Sequence, residues 1–121
     1  MARIRYIVNE LREAAEFYTS HLGFELVNRL GQTIAILQRE DLELLVSGPP
    51  ASASRPMLDG SIPEPGGWSR FVITVDDLES FVAELRGKGV TFRNDIEINE
   101  DRKQILCEDP SGNVIELFQS G

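Results

Sequence analysis

The chain contains two related segments, Leu42-Glu43-Leu44-Leu45-Val46-Ser47-Gly48 and Ile115-Glu116-Leu117-Phe118-Gln119-Ser120-Gly121. Each has the length and apolar content of a strand with at least one buried face. The starts of the two halves also correspond, because Arg3-Ile4 aligns with Arg70-Phe71. Each half is too small to bury a sheet alone, so the repeat predicts one fold assembled from two copies of a common unit.

The hydrophobic spacing within each half predicts the same order of elements. In the first half it indicates a strand at 3–8, a helix at about 10–22 capped by Asn9, and strands at 24–30, 33–38 and 42–47. In the second half it indicates a strand at 71–75, a helix capped by Asp76, and strands around 90–98, 103–108 and 113–119. The predicted fold class is therefore α+β, with two tandem βαβββ modules.

A segment rich in proline and glycine, residues 49–67, separates the two halves. A loop of this length in a compact domain is often functional, which favours a linker or a lid. We therefore expect a single domain over 1–121, with module one at 1–48, the linker or lid at 49–67 and module two at 68–121. A chain of 121 residues has the size of one domain.

Charge and composition argue against several classes of partner. The net charge is −8 and the twelve Lys and Arg residues form no basic cluster, so we expect no nucleic-acid partner. No apolar run approaches the roughly 18–20 residues needed to cross a bilayer, so we expect no membrane association. Cys107 is the single cysteine, and we expect its thiol to be buried and unreactive. A free thiol is typical of a reducing compartment, so we expect a cytoplasmic protein.

Three motifs, in order along the chain, carry a family resemblance. They are Phe17-Tyr18-x-x-His21-Leu22-Gly23-Phe24, then Val75-Asp76-Asp77-Leu78 leading to Lys88-Gly89-Val90, then Asp109-Pro110-Ser111-Gly112-Asn113-Val114-Ile115-Glu116-Leu117. The sequence resembles the vicinal oxygen chelate superfamily, which includes glyoxalase I, extradiol dioxygenases, fosfomycin-modifying enzymes and bleomycin-resistance proteins. The resemblance implies curled mixed sheets that enclose a cleft, helices outside, and a homodimer.

The resemblance also locates the positions from which metal-dependent members draw His and Glu ligands. Carried over, they are Arg3, Glu43, Arg70 and Glu116, so both histidines are replaced by arginine. A guanidinium has no lone pair to donate to a metal ion and stays protonated. We therefore expect no metal site and no cofactor. The single histidine, His21, lies in the last turn of the first helix, where we expect it to meet the terminal carbonyls and solvent.

The cleft-facing side chains form the expected ligand-binding set, although no catalytic residue can be assigned. This set comprises Arg3, Glu43, Trp68, Arg70, Glu116 and Phe118. Trp68 would stack on a planar ligand, or it would be an ordinary core or interface residue. The Arg and Glu side chains would contact a ligand, or they would only form structural salt bridges.

The most favoured function is a metal-independent small-molecule-binding protein of the glyoxalase/bleomycin-resistance type. It would sequester an antibiotic or another aromatic or cationic compound, the latter favoured by the acidic charge. One alternative is an enzyme of the superfamily, a lyase, isomerase or dioxygenase-like protein, in which arginine polarises an oxygen and glutamate acts as a base. Another is a non-catalytic interaction module.

Overall fold

The computed structural model describes residues 2–121. These residues form two compact units: the first ends at Gly66, and the second comprises Gly67–Gly121. The elements follow in the order β1 (Ile4–Ile7), α1 (Leu11–His21), β2 (Glu25–Leu30), β3 (Ile34–Arg39), β4 (Leu42–Ser47), β5 (Val72–Thr74), α2 (Leu78–Gly87), β6 (Thr91–Phe92), β7 (Glu97–Asn99), β8 (Arg102–Glu108) and β9 (Val114–Gln119). Two helices and two mixed sheets confirm the predicted α+β class.

The sheet of the first unit has the strand order β1-β4-β3-β2. β1 runs parallel to β4, and the other neighbours are antiparallel. Leu37, Leu44 and Val46 are fully buried on one face, where α1 packs against them with Tyr18. Glu43 has the opposite parity to Leu44 and therefore lies on the face away from α1.

The sheet of the second unit has the order β5-β9-β8-β6, and β7 also pairs with β8. Ile105, Ile115 and Leu117 are fully buried beneath α2, which contributes the buried Leu78 and Leu85. Residues of opposite parity occupy what we call the helix-free face of the second sheet. They are Val72 and Thr74 on β5, Val114, Glu116 and Phe118 on β9, and Gln104, Leu106 and Glu108 on β8.

Both predicted helix caps were wrong by one residue. α1 is capped by Glu10 rather than Asn9, and the Glu10 carboxylate accepts a hydrogen bond from the backbone N–H of Glu13. α2 is capped by Asp77 rather than Asp76, and Asp77 Oδ1 accepts from the Ser80 N–H at 3.2 Å. The cap is the residue directly before the first helical one, and its side chain must reach the third helical N–H.

The single strand predicted around 90–98 was also wrong, because the structure divides it into β6 and β7. Phe92 pairs with Cys107 whereas Glu97 pairs with Gln104, so residues 93–96 oppose only Ile105 and Leu106. Asn94 Oδ1 accepts the Leu106 N–H at 3.0 Å, so a side chain takes the place of a ladder carbonyl there. The extra residues bulge out of the ladder and redirect the chain.

The segment 49–67 is mostly exposed and contains a short 3-10 helix at Ser52–Ser54. The division between the two compact units falls inside it, between Gly66 and Gly67. Its function as a lid stays a prediction. Within residues 2–121, no helix combines the length and the apolar character that crossing a membrane requires.

Candidate functional site

Arg3 and Glu43 form an ion pair in the first unit. The parallel register Ile4↔Leu44 brings the residue before β1 alongside Glu43 of β4. Arg3 Nη1 lies 3.2 Å from Glu43 Oε1, and the two side chains are 47% and 17% exposed. The glutamate is therefore largely shielded, while its arginine partner stays half in solvent.

Arg70 and Glu116 form the corresponding pair in the second unit, where β5 is parallel to β9. Arg70 Nε lies 3.0 Å from Glu116 Oε1, and the side chains are 30% and 13% exposed. Arg70 Nη1 also donates to the backbone oxygen of Trp68 at 3.2 Å. This pair is shorter and more shielded than the pair in the first unit.

These pairs do not suit a divalent cation. Each glutamate already faces a fixed positive charge, and a guanidinium cannot coordinate a metal ion. Among residues 2–121, no three His, Cys, Asp or Glu side chains come together as a possible metal-ligand set. The carboxylates of Glu43 and Glu116 therefore act as the acidic partners of salt bridges.

Arg93 is a site residue that the sequence reasoning missed. Its Nε lies 2.7 Å from Glu108 Oε2 on the helix-free face of the second sheet. Its Nη1 donates to the Gly67 oxygen at 2.8 Å, and its Nη2 donates to the Gly112 oxygen at 3.0 Å. The guanidinium therefore joins the start of the second unit to the turn between β8 and β9.

Trp68 packs on this guanidinium, with 4.6 Å between Arg93 Cζ and the ring centroid. That distance is within the range of a cation–π interaction. Although one side contacts Arg93, Trp68 remains 69% exposed. The structure therefore does not support the core alternative for Trp68.

A groove of about 380 Å³ lies on the same face of the second sheet. Its lining consists of Glu97, Ile98, Asn99, Arg102, Gln104 and Phe118. The register Glu97↔Gln104↔Phe118 brings one aromatic ring beside several polar groups. Phe118 is four residues after Val114, so the face extends about 13 Å along β9, with Glu116 midway.

The other two singled-out side chains are not part of this face, because His21 belongs to α1 of the first unit and Cys107 has the opposite parity on β8. His21 packs edge-on against Phe17, with ring centroids 5.4 Å apart, and its Nδ1 is buried and has no hydrogen-bond partner among residues 2–121. The Nδ1 of His21 therefore does not make the expected contact with the carbonyls at the end of the helix. Cys107 is fully buried, and burial raises the pKa of its thiol to about 12, with a further contribution from the Asp109 carboxylate.

The order of strand, helix and strands in each unit parallels the family pattern. Residues 1–117 match the profile of the Glyoxalase/Bleomycin resistance protein/Dioxygenase superfamily. The chain belongs to this superfamily. A comparison with curated proteins gave no significant match.

Solved structures with the superfamily's fold superpose over nearly the whole chain. A superfamily member from Sphaerobacter thermophilus is 23% identical, with a TM-score of 0.78 over 99% of this chain and 97% of its own. Lactoylglutathione lyase from Agrobacterium tumefaciens is 19% identical, with a TM-score of 0.75 over 99% and 93%. The fosfomycin resistance protein FosX from Listeria monocytogenes is 11% identical, with a TM-score of 0.76 over 100% and 93%. At these identities the likeness shows the fold alone.

Within each unit, the structure brings sequence-predicted residues of this superfamily member together. Arg3 meets Glu43, and Arg70 meets Glu116 and the backbone of Trp68. Phe118 follows Glu116 on the same face and lines the groove. Arg93 was missed because its partners lie far away in sequence, and the bulge after β6 had been predicted as regular strand.

Proposed function

We propose that this protein is a metal-independent small-molecule-binding protein whose ligand occupies the helix-free face of the second sheet. The groove beside Phe118 carries the proposal. Its volume of about 380 Å³ lies within the range of ligand pockets, roughly 300–1,000 Å³. An aromatic side chain among convergent polar groups would bind a compact molecule that has both an apolar and a polar part.

Metal independence is supported by the state of the two glutamates. The resemblance assigns Glu43 and Glu116 to ligand positions and Arg3 and Arg70 to positions that hold histidine in metal-dependent members. In this chain the four side chains form two salt bridges. Two arginines would supply the positive charge that a divalent ion supplies elsewhere, and they would hold the strands in its place.

Binding without turnover is favoured for the same reason. A general base must reach a proton of the ligand, and each glutamate is largely shielded and held beside a fixed positive charge. Sequestration of a small molecule, such as an antibiotic, is therefore the role that we infer.

Ligand-observed NMR screening of a panel of small aromatic acids, alcohols and amines tests this proposal. Each hit should persist in excess EDTA. Gln104→Ala, in the groove, should weaken binding roughly 3- to 10-fold, the effect of losing one hydrogen bond. The matched control Gln32→Ala changes an exposed glutamine that lines a separate groove of the first unit, and it should leave binding unchanged. Hits that vanish with EDTA, or equal affinities in both variants, would refute the proposal.

The predicted homodimer is retained as part of the proposal, because closed two-fold pairing is the commonest assembly of soluble proteins. β2, at one edge of the first sheet, exposes the apolar side chains of Leu26, Val27 and Leu30. An exposed apolar edge strand is suited to pairing with a second chain. Sedimentation at micromolar concentration should give twice the monomer mass, and a monomer alone would contradict the prediction.

A further inference from the structure

We propose that Arg93 and Trp68 form a stacking plate that selects planar neutral or anionic ligands and disfavours cations. The inference rests on the proposed function, and it names a ligand class for the Glu108 end of the same face, the end opposite to the groove beside Phe118. It replaces the expectation that the acidic composition favours a cationic ligand.

The plate is held rigidly by the hydrogen bonds of Arg93. The guanidinium meets Glu108 and two backbone oxygens, those of Gly67 and Gly112, in three directions at 2.7, 2.8 and 3.0 Å. These contacts use both terminal nitrogens and Nε, so the guanidinium plane has little freedom to rotate. Its side chain is only 18% exposed, which limits competition from water.

Trp68 is held from two sides while its ring remains accessible. Arg93 Cζ lies 4.6 Å from the ring centroid, and Arg70 Nη1 donates to the Trp68 backbone oxygen at 3.2 Å. The residue is nevertheless 69% exposed. An aromatic side chain that is fixed before binding loses little conformational entropy when a planar ligand stacks on it.

The charge behind the ring determines which ligands can stack. An indole face attracts a cation through its quadrupole, and in this protein Arg93 already occupies one face. A second cation on the opposite face would lie about 8 Å from the guanidinium and would be repelled by it. Glu108 offsets part of this charge, so we expect a discrimination of about tenfold rather than several orders of magnitude.

The test uses Trp68 fluorescence, since Trp68 is the only tryptophan in the chain. Three quenchers share one ring and differ in charge: 4-nitrobenzoate, 4-nitrobenzyl alcohol and 4-nitrobenzylammonium. The expected order is that the acid and the alcohol bind about tenfold more tightly than the ammonium compound. Isothermal titration with Trp68→Leu should show weaker binding of the acid and the alcohol.

Three variants separate charge from positioning. Arg93→Gln removes the guanidinium charge and leaves the Glu108 carboxylate unpaired, so the preference for the acid and the alcohol should be lost or reversed in favour of the ammonium compound. Arg93→Lys keeps the positive charge but loses the planar set of N–H donors that positions the guanidinium. The affinity for all three quenchers should therefore fall, while their order of affinity stays the same. Arg86→Gln is the matched control, because Arg86 also lies over a ring, Phe92, at 5.2 Å but on the α2 side of the sheet. It should behave as the unmodified protein.

Several results would overturn the inference. These are an absence of quenching by all three probes, a preference unchanged in Arg93→Gln, or a Trp68 emission maximum that shifts with protein concentration, as for a ring buried between two copies. Such failures leave the proposed function standing if the NMR hits survive EDTA and depend on Gln104. If those hits are lost while Trp68 selectivity is normal, the proposal that the ligand binds in the groove is refuted instead.

Discussion

The two Arg–Glu pairs should differ in strength, and a pair of double-mutant cycles can measure that difference. The first cycle combines Arg70→Gln with Glu116→Gln, and the second combines Arg3→Gln with Glu43→Gln. Glutamine keeps much of the side-chain volume and removes the charge. The coupling energy of each cycle is the non-additive part of the change in the free energy of unfolding.

The expected magnitudes follow from exposure and geometry. Exposed ion pairs contribute about 0–1 kcal/mol, whereas removing one partner of a buried pair costs about 3–5 kcal/mol. Arg70–Glu116 lies between these limits, at 3.0 Å with side chains 30% and 13% exposed, so we expect a coupling of about 1–2 kcal/mol. Arg3–Glu43, at 3.2 Å with Arg3 47% exposed, should give about 0.5 kcal/mol.

Urea unfolding followed by circular dichroism supplies the free energies, at low salt and at about 1 M salt, where the screening length falls to about 3 Å. High salt should nearly abolish the Arg3–Glu43 coupling, while Arg70–Glu116 should keep at least half of its value. Equal couplings in the two cycles, or a coupling below about 0.3 kcal/mol for Arg70–Glu116, would refute the argument that shielding distinguishes them.

Three further predictions concern the buried thiol, the turn between β8 and β9, and the metal-ligand positions. Cys107 stays neutral in the fold because its pKa is raised to about 12, while the unfolded thiol ionises near 9.0; stability should therefore fall as pH rises above 9, and Cys107→Ala should remove that part of the slope. Ellman's reagent should label the native thiol only as fast as the protein unfolds, and rapid stoichiometric labelling would contradict its burial. Asp109→Ala should cost about 2–3 kcal/mol by urea titration, since this buried carboxylate accepts two backbone N–H groups, whereas Asp59→Ala in an exposed turn should cost much less. Arg3→His combined with Arg70→His should create affinity for Ni²⁺ or Zn²⁺ in calorimetry, and no gain in affinity would argue against the carried-over ligand positions.

The overall fold was predictable because it rests on signals that are local in sequence. The repeated strand around Glu43 and Glu116 and the helical stripes before Gly23 and Gly87 each report burial on one face. Buried alternate residues such as Leu44 and Leu117 then fix the register of the sheets. The four Arg and Glu positions came from the family resemblance, with salt bridges as one of two alternatives, and the parallel register of the first and last strands in each unit brings each pair together.

The remaining features depended on contacts that periodicity does not encode. The caps shifted because two adjacent residues, such as Asp76 and Asp77, both carry capping side chains, and only the helix start decides between them. The bulge after β6 depends on Asn94 reaching the Leu106 N–H. The position of the Arg93 side chain depends on that bulge and on its contact with Trp68, so the spacing of residues in the sequence could not have identified it.

Native mass spectrometry of freshly purified protein, recorded before and after chelator treatment and combined with elemental analysis, tests the central claim most directly. We predict an adduct with the mass of a small organic molecule that persists after chelation, and no stoichiometric Zn, Ni, Mn or Fe. About one tightly bound transition metal per chain, or an organic adduct that is released together with a metal by the chelator, would contradict the account.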